Sequence, residues 1–436
     1  MFTLYFAQDT CALATHIAAR RAAGVDLNLN VLGEAILSDE EADQRLVRVS
    51  ETMARRDVDY VSVKISALCA QLDVLAFEHS VDRICARLEA IFRVALAARP
   101  PVFVNLDMEE YADLHLTVEA FTRVLAQEDF RAAPAGIVLQ AYLPDSHDVL
   151  AHLAQWSAAR VAAGGAPIKI RIVKGANLAM ERVDAEQHGW VQAPYALKSE
   201  VDASYKRLLD AALPFVAAGT LRLGVASHNL FDIAWALTLV GDLPPARRAG
   251  VDIEMLEGMV PAQARAVLAE AGRLLFYCPI VRHDEIEASL AYLARRFDEN
   301  TGRDNFLRAM FTMTPGSPTF EVQAARFRTA VSERHTVSTA PRRPSVAPAS
   351  DVGFHNSPDS DFTAATVREA LAQAMANPPH VDVDVLTTTD AIDAVVARIV
   401  SGRDTWAATS PADRVALLHA VADRMEADRF ATLALM

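Results

Sequence analysis

Short apolar runs alternate with longer stretches in which apolar residues recur every three or four positions, and the alternation repeats through most of the chain. The runs LNLNVLG (27–33), YVSVKIS (60–66), VFVNLD (102–107), GIVLQAY (136–142), IKIRIVK (168–174), LRLGVAS (221–227), VDIEML (251–256) and LLFYCP (274–279) read as eight strands. Between them lie helical patterns such as SVDRICARLEAIFRVALAA and VDASYKRLLDAALPFVAA, each long enough for a crossover between parallel strands. Eight such β/α units in one domain predict an α/β fold of the (β/α)8 TIM type, a parallel barrel ringed by helices. After the last strand, YLARRFDEN (292–300) continues a helix. At about 100° per residue, Ile286, Leu290, Leu293 and Phe297 form one stripe, while Tyr292, Arg295, Arg296 and Glu299 form the opposite one.

The pattern changes at both ends. Residues 1–26 read as a helical segment ahead of the barrel, which is expected over 27–333. From 334 to 362 the chain is rich in Pro, Ser and Ala without apolar periodicity, which predicts an exposed linker. Beyond it, over 363–436, TTTDAIDAVVARIVSG and SPADRVALLHAVADRMEADRFATLALM read as two amphipathic helices, the second with a Ser-Pro start of the N-cap type. Two helices bury little surface alone, so this tail is expected either to be the start of an incomplete domain or to dock on something else.

A barrel places its chemistry at the C-terminal ends of its strands. Polar residues recur there: Glu34 after the first strand, Lys64, Asp107 and Gln140 at the next three ends, and Arg171 with Lys174 at the fifth. Ser227, His228 and Asn229 end the sixth, Glu254 sits in the seventh, and Tyr277 ends the eighth. Each has an ordinary reading, as a solvated helix face for the two arginines or a helix-start acid for Asp107. Eight strands delivering polar groups to one rim favour a shared site. Its cations, Lys64, Arg171, Lys174, Arg295 and Arg296, suit a carboxylate held by forked guanidinium donors together with a phosphorylated cofactor near Gly175. Neither a GxGxxG after a strand nor a GxxxxGK[ST] motif occurs, so a Rossmann or P-loop arrangement is not supported. A lyase using Lys174 as a Schiff-base amine stays open on the residues alone.

Composition narrows the partners. The 42 basic and 56 acidic side chains give a formal charge of −14, which disfavours nucleic acid. Four scattered cysteines without CxxC or a nearby His pair indicate neither a disulfide framework nor a zinc site, so no metal is expected. The opening MFTLYFAQDT lacks the basic region of a signal peptide, and no apolar stretch reaches the roughly 20 residues of a membrane helix. Any membrane contact is expected to be peripheral.

RIVKGA (171–176), VASHN (225–229), FYCP (276–279) and YLARRFDEN (292–300), in this order and on these elements, resemble the FAD-dependent proline dehydrogenase barrel of the proline utilization A family. VLGEA (31–35), SVKISAL (62–68) and NLDMEE (105–110) extend the likeness over roughly residues 20–330. The resemblance implies oxidation of L-proline to Δ1-pyrroline-5-carboxylate, with a hydride passing to FAD and electrons on to a quinone. It implies a cytoplasmic enzyme with peripheral contact at the inner face of the cell membrane, and it allows a homo-oligomer for the full-length protein. Arg295 and Arg296, helped by Lys64, would clamp the proline carboxylate; Tyr277, Tyr292 and Leu256 would wall the ring, and Asp107 would orient Tyr277. Glu34 would pair with the first arginine as a gate.

On the cofactor side the resemblance assigns Arg171 to flavin N5 and Gln140 with the backbone from Val173 through Lys174 and Gly175 to Ala176 to the ring system. Lys174, Lys198, Ser227, His228, Asn229, Glu254 and Glu299 complete the implied FAD set. The chain departs from the family pattern at Asn177, where an aromatic residue is common, at Glu254 and Met255 in place of Gln-Cys, and at Ser227 in place of Thr. No ribbon-helix-helix arm precedes the barrel, so no operator binding is implied. The tail resembles the start of the L-glutamate-γ-semialdehyde dehydrogenase module of bifunctional members. Cys278 is the last thiol, so the second activity, which needs a cysteine nucleophile, is not expected of this chain. A truncated fragment that fails to retain FAD is the other expectation to be tested.

Overall fold

The computed structural model describes residues 6–7, 10–32, 36–281, 290, 294, 305–310, 312–343, 356–380 and 385–436. A two-residue strand, β1 (Phe6–Ala7), precedes the eight barrel strands β2 (Val25–Val31), β3 (Tyr60–Lys64), β4 (Phe103–Asp107), β5 (Ala135–Gln140), β6 (Ile168–Val173), β7 (Leu221–Ala226), β8 (Val251–Leu256) and β9 (Leu274–Val281). Every pairing is parallel, each barrel strand lies beside the next, and β9 closes the barrel on β2 with Val25 opposite Leu274. These are the eight predicted strands, with ends shifted by a few residues. β9 runs on to Val281, which puts Tyr277 in mid-strand rather than at its end. The sequence reading did not contain β1, which is too short to show a period and extends the sheet beside β9.

The crossover helices form because their apolar residues fall on one face. In Phe77–Ala97, Val81, Ile84, Cys85, Leu88, Ile91, Phe92 and Ala95 are buried, the three-to-four spacing of a helix packed on a sheet. Ser38 caps Asp39–Met53 by accepting a hydrogen bond from the Glu41 N–H, and Asn229 caps Leu230–Gly241 through the Phe231 N–H. Strand residues that point outward, such as Val61, Val104, Ile170, Val225 and Ile253, meet these helices in one continuous apolar shell.

The barrel interior is different. Alternate residues point inward, and here they include Asn28, Ser62, Asn105, Asp107, Lys169, Asp252 and Glu254, all buried. Below them Tyr60 and Phe103 stack with ring centres 4.4 Å apart and close the floor with Leu275.

The chain divides into two units, 1–344 and 345–436. Within the first, residues 334–343 lie along the barrel wall: Arg334 pairs with Asp210 at 2.7 Å, the Tyr195 hydroxyl donates to the Ser338 carbonyl at 2.5 Å, and the buried Arg343 donates to the Val191 carbonyl at 3.1 Å. The start of the segment expected as a linker is therefore fastened by side chains that composition does not reveal. Among the described residues the second unit contains five helices, Ala365–Ala376, Thr389–Ser401, Arg403–Ala408, Pro411–Ala427 and Arg429–Leu435. The first and third of these were not anticipated, the first because its apolar signal is the pair Val367 and Leu371 in an alanine-rich run and the third because it has only six residues. The last predicted helix is two, Pro411–Ala427 and Arg429–Leu435.

Candidate active site

At the C-terminal mouth of the barrel, β4, β6, β8 and β9 each contribute an inward side chain to one constellation. Asp107 accepts hydrogen bonds from the Tyr277 hydroxyl at 2.7 Å, from Asn105 Nδ2 at 2.9 Å and from Ser62 Oγ at 3.2 Å. Asn28 Nδ2 in turn donates to Ser62 Oγ at 3.0 Å. The Arg171 guanidinium lies over the Tyr277 ring at 4.8 Å, with Nη1 3.6 Å from Asp107 Oδ1 and Nε 2.7 Å from Glu254 Oε2. Tyr277 is thus fixed at its hydroxyl by a carboxylate and at its face by a cation. Burial raises the pKa of Asp107, with Arg171 and the Tyr277 hydrogen bond opposing that rise. Burial also works against the charge of Arg171, but Glu254 and then Asp107 outweigh it and hold the guanidinium protonated.

Around this centre the rim carries further ion pairs. Lys64 meets Glu109 at 2.8 Å, and Gln140 Nε2 donates to the Glu109 carbonyl at 3.2 Å. Lys174 lies between Asp202 at 2.5 Å and Asp232 at 2.6 Å, while Lys198 reaches Asp202 at 2.7 Å. After β7, Ser227 Oγ accepts from the Asn229 N–H at 3.0 Å, and His228 Nε2 accepts from the Leu256 N–H at 3.1 Å. A ring accepting at Nε2 carries its proton on Nδ1 when neutral. The C-terminal end of β8 is thereby tied to the loop after β7.

The sequence-derived residues Lys64, Asp107, Gln140, Arg171, Val173, Lys174, Gly175, Ala176, Ser227, His228, Asn229, Leu256 and Tyr277 belong to β3 to β9 or the loops at their C-terminal ends. Lys198 opens the Lys198–Ala218 helix. Glu254 lies deeper: it is fully buried and meets Arg171 and Lys169. Glu34, Tyr292, Arg295, Arg296 and Glu299 lie outside the described residues. Sequence reasoning missed Lys169, Asp252, Asn28, Ser62 and Asn105. The signal was available as charges two residues apart inside apolar strands, Lys169 with Arg171 and Asp252 with Glu254, which put both members on one face.

Among the described residues, His16, Glu257 and Cys278 bring three metal-ligating atoms within 4.8 Å of one another outside the barrel wall. Glu257 there is engaged by Arg20 at 2.5 Å and His16 at 3.0 Å, so its negative charge already has a cationic partner.

Residues 13–309 match the family described as Proline dehydrogenase. The chain belongs to the proline dehydrogenase family. Proline utilization A from Corynebacterium freiburgense is similar over 99% of this chain and 42% of its own, with 39% identity and a TM-score of 0.85. The protein of the same name from Bdellovibrio bacteriovorus, whose structure is of a form inactivated by N-propargylglycine, covers 99% of this chain and 48% of its own at 26% identity and a TM-score of 0.83. A Bradyrhizobium japonicum proline utilization A variant shares the fold at 21% identity and a TM-score of 0.74, covering 94% of this chain and 42% of its own. The chain spans less than half the length of these relatives. No curated protein sequence matches it.

Proposed function

We propose that this chain is an FAD-dependent proline dehydrogenase that oxidises L-proline to Δ1-pyrroline-5-carboxylate and passes the electrons to a quinone. The observation that carries the reading is the Arg171–Tyr277–Asp107 constellation at the barrel mouth of a chain belonging to this family.

The residues present fit FAD. Lys198 stands beside Lys174, and burial and that neighbouring charge both push its pKa down, which an anion would relieve. It opens a helix of 21 residues, whose N-terminal N–H groups favour the same sign of ligand. Lys174, Lys198, His228, Asn229 and Ser227 would hold the phosphate and ribityl portions, and Gln140, Arg171 and the backbone from Val173 to Ala176 the ring system. Glu299 is assigned to the adenosine part on the resemblance alone. Bound FAD supplies the acceptor for a hydride leaving the proline ring carbon next to nitrogen, while the nitrogen sheds a proton and a C=N bond remains.

The protein's own contribution is position and charge. Asp107 fixes the Tyr277 phenol so that its ring forms a wall with Leu256, and Arg171 keeps a positive charge at the mouth. Lys64 would meet the substrate carboxylate together with Arg295 and Arg296, Tyr292 would add to the wall, and Glu34 would pair with Arg295. The Schiff-base reading of Lys174 is disfavoured by geometry. Asp202 and Asp232 overcome the effect of burial and raise its pKa, whereas an imine-forming lysine must be neutral.

Residues 27–333 are assigned to the dehydrogenase barrel, 334–362 to a linker and 363–436 to the start of an aldehyde dehydrogenase module. This last assignment is supported by a likeness to the Corynebacterium protein that covers 99% of the chain. No described helix is long and apolar enough to cross a membrane, and peripheral contact would bring the site near a membrane quinone. The deciding experiment is the visible absorbance of the purified chain, repeated without oxygen after L-proline is added. A flavin spectrum that bleaches supports the reading; a protein that stays colourless after added FAD removes it.

A further inference from the structure

One fully buried carboxylate joins two layers of the barrel interior. Glu254 Oε2 lies 2.7 Å from Arg171 Nε, and Oε1 lies 2.6 Å from Lys169 Nζ. Lys169 is itself completely buried and also meets Asp252 at 2.7 Å. Space for the pair comes from Gly224 on β7: a Cβ there would fall 2.3 Å from Glu254 Oε1 and 2.9 Å from Lys169 Cε. Neither Glu254 nor Lys169 has any exposed surface, so neither can touch a molecule entering at the mouth. Arg171, whose side chain is 12% exposed, is the member of the ladder that can.

We infer that Glu254, held by Lys169, is a positioning residue that aims Arg171 at the barrel mouth and offsets part of its charge, so setting the reduction potential of the bound flavin. The inference rests on the FAD reading above. A cofactor that gains negative charge on reduction is favoured by an uncompensated cation beside it, and a carboxylate in contact with that cation weakens the effect. Lys169 weakens the carboxylate in turn, from further away. A purely structural ion pair would behave differently: buried pairs exchanged for neutral residues change stability, with no reason to move a potential.

The test compares wild type, Glu254→Gln and the double variant Lys169→Met/Glu254→Gln, each as the full chain reconstituted with FAD. The readouts are the flavin midpoint potential and the affinity for sulfite, an anionic probe of the oxidised flavin. Glu254→Gln should raise the potential and tighten sulfite binding about tenfold, the effect of roughly 1.4 kcal/mol. The double variant should show a smaller rise, because the more distant opposite charge is removed as well. A folded, flavin-loaded Glu254→Gln protein with wild-type potential and sulfite affinity overturns the inference. If that variant does not fold, the double variant decides: a raised potential supports the inference and an unchanged one overturns it. A wild-type chain that takes up no FAD overturns the cofactor reading and this inference with it, and is distinguishable because no flavin signal is seen.

Discussion

At the scale of single residues, the site depends on charges kept where water cannot reach them. Asp107 is 8% exposed, and burial raises its pKa, so its ionised form is disfavoured by the fold yet fixes Tyr277. Asp107→Asn keeps an acceptor for Tyr277 but removes the charge. It should lower kcat/KM for L-proline about tenfold, ~1.4 kcal/mol, while the melting temperature at neutral pH stays no lower than wild type. A substantial fall in melting temperature would show instead that Asp107 is chiefly structural. Glu181, buried and accepting from the Tyr111 N–H at 2.7 Å, is pushed by burial from 4.5 to about 7. Its folded-state pKa is raised, so the folded chain binds the extra proton, and stability falls as pH rises from about 4.5 through about 7. Glu181→Gln, which keeps the acceptor for Tyr111, should flatten that fall in melting curves taken across the window. Asp113, also raised to about 7 by burial and by Glu110, leaves part of the slope in place.

Elements show how much of this was legible in the sequence. The eight strands were readable because each is a short apolar run bounded by turn residues, and Lys64, Asp107, Gln140 and Arg171 because such strands end at a common rim. The ladder from Lys169 to Arg171 was not, since Glu254 lies some eighty residues from both in sequence and only barrel closure brings them together. The same holds for Glu257, which follows Leu256 and fastens the Thr10–Ala22 helix to the barrel wall through His16 and Arg20. That junction is asymmetric. Glu257 is completely buried, whereas the Arg20 side chain is 39% exposed. Glu257→Gln leaves an arginine that can turn to water and should cost about 1 kcal/mol; Arg20→Ala leaves a buried carboxylate short of a cation and should cost about 3 kcal/mol. Chemical denaturation of the two variants checks the order, and equal losses would mean that His16 supplies the compensating charge.

For the whole molecule, the question is where the barrel's cooperative unit stops. Composition places the change at residue 334, where Pro, Ser and Ala begin to dominate. Side-chain contacts place it about ten residues later. Arg334 pairs with Asp210 and lies over Trp235 at 5.5 Å, Arg207 donates to the Val337 carbonyl at 2.9 Å, and Arg343 is sandwiched between the rings of Tyr111 at 4.9 Å and Trp190 at 4.7 Å. Arg343 also pairs with Asp184 at 3.3 Å, so the contacts reach the Leu178–His188 and Lys198–Ala218 helices, the second of which begins with Lys198 at the rim. The ten-residue strap therefore braces the side of the barrel that carries the proposed phosphate contacts. A chain ended after Arg343 should melt as the barrel of the full chain does and bind FAD with unchanged affinity. A chain ended after Glu333 loses two ion pairs, several carbonyl hydrogen bonds and a buried arginine, worth about 2–4 kcal/mol together, and should melt lower and release FAD more readily. Equal stability and FAD affinity in the two chains would show that the strap merely rests on the surface, and the barrel's cooperative unit would then end where the composition changes.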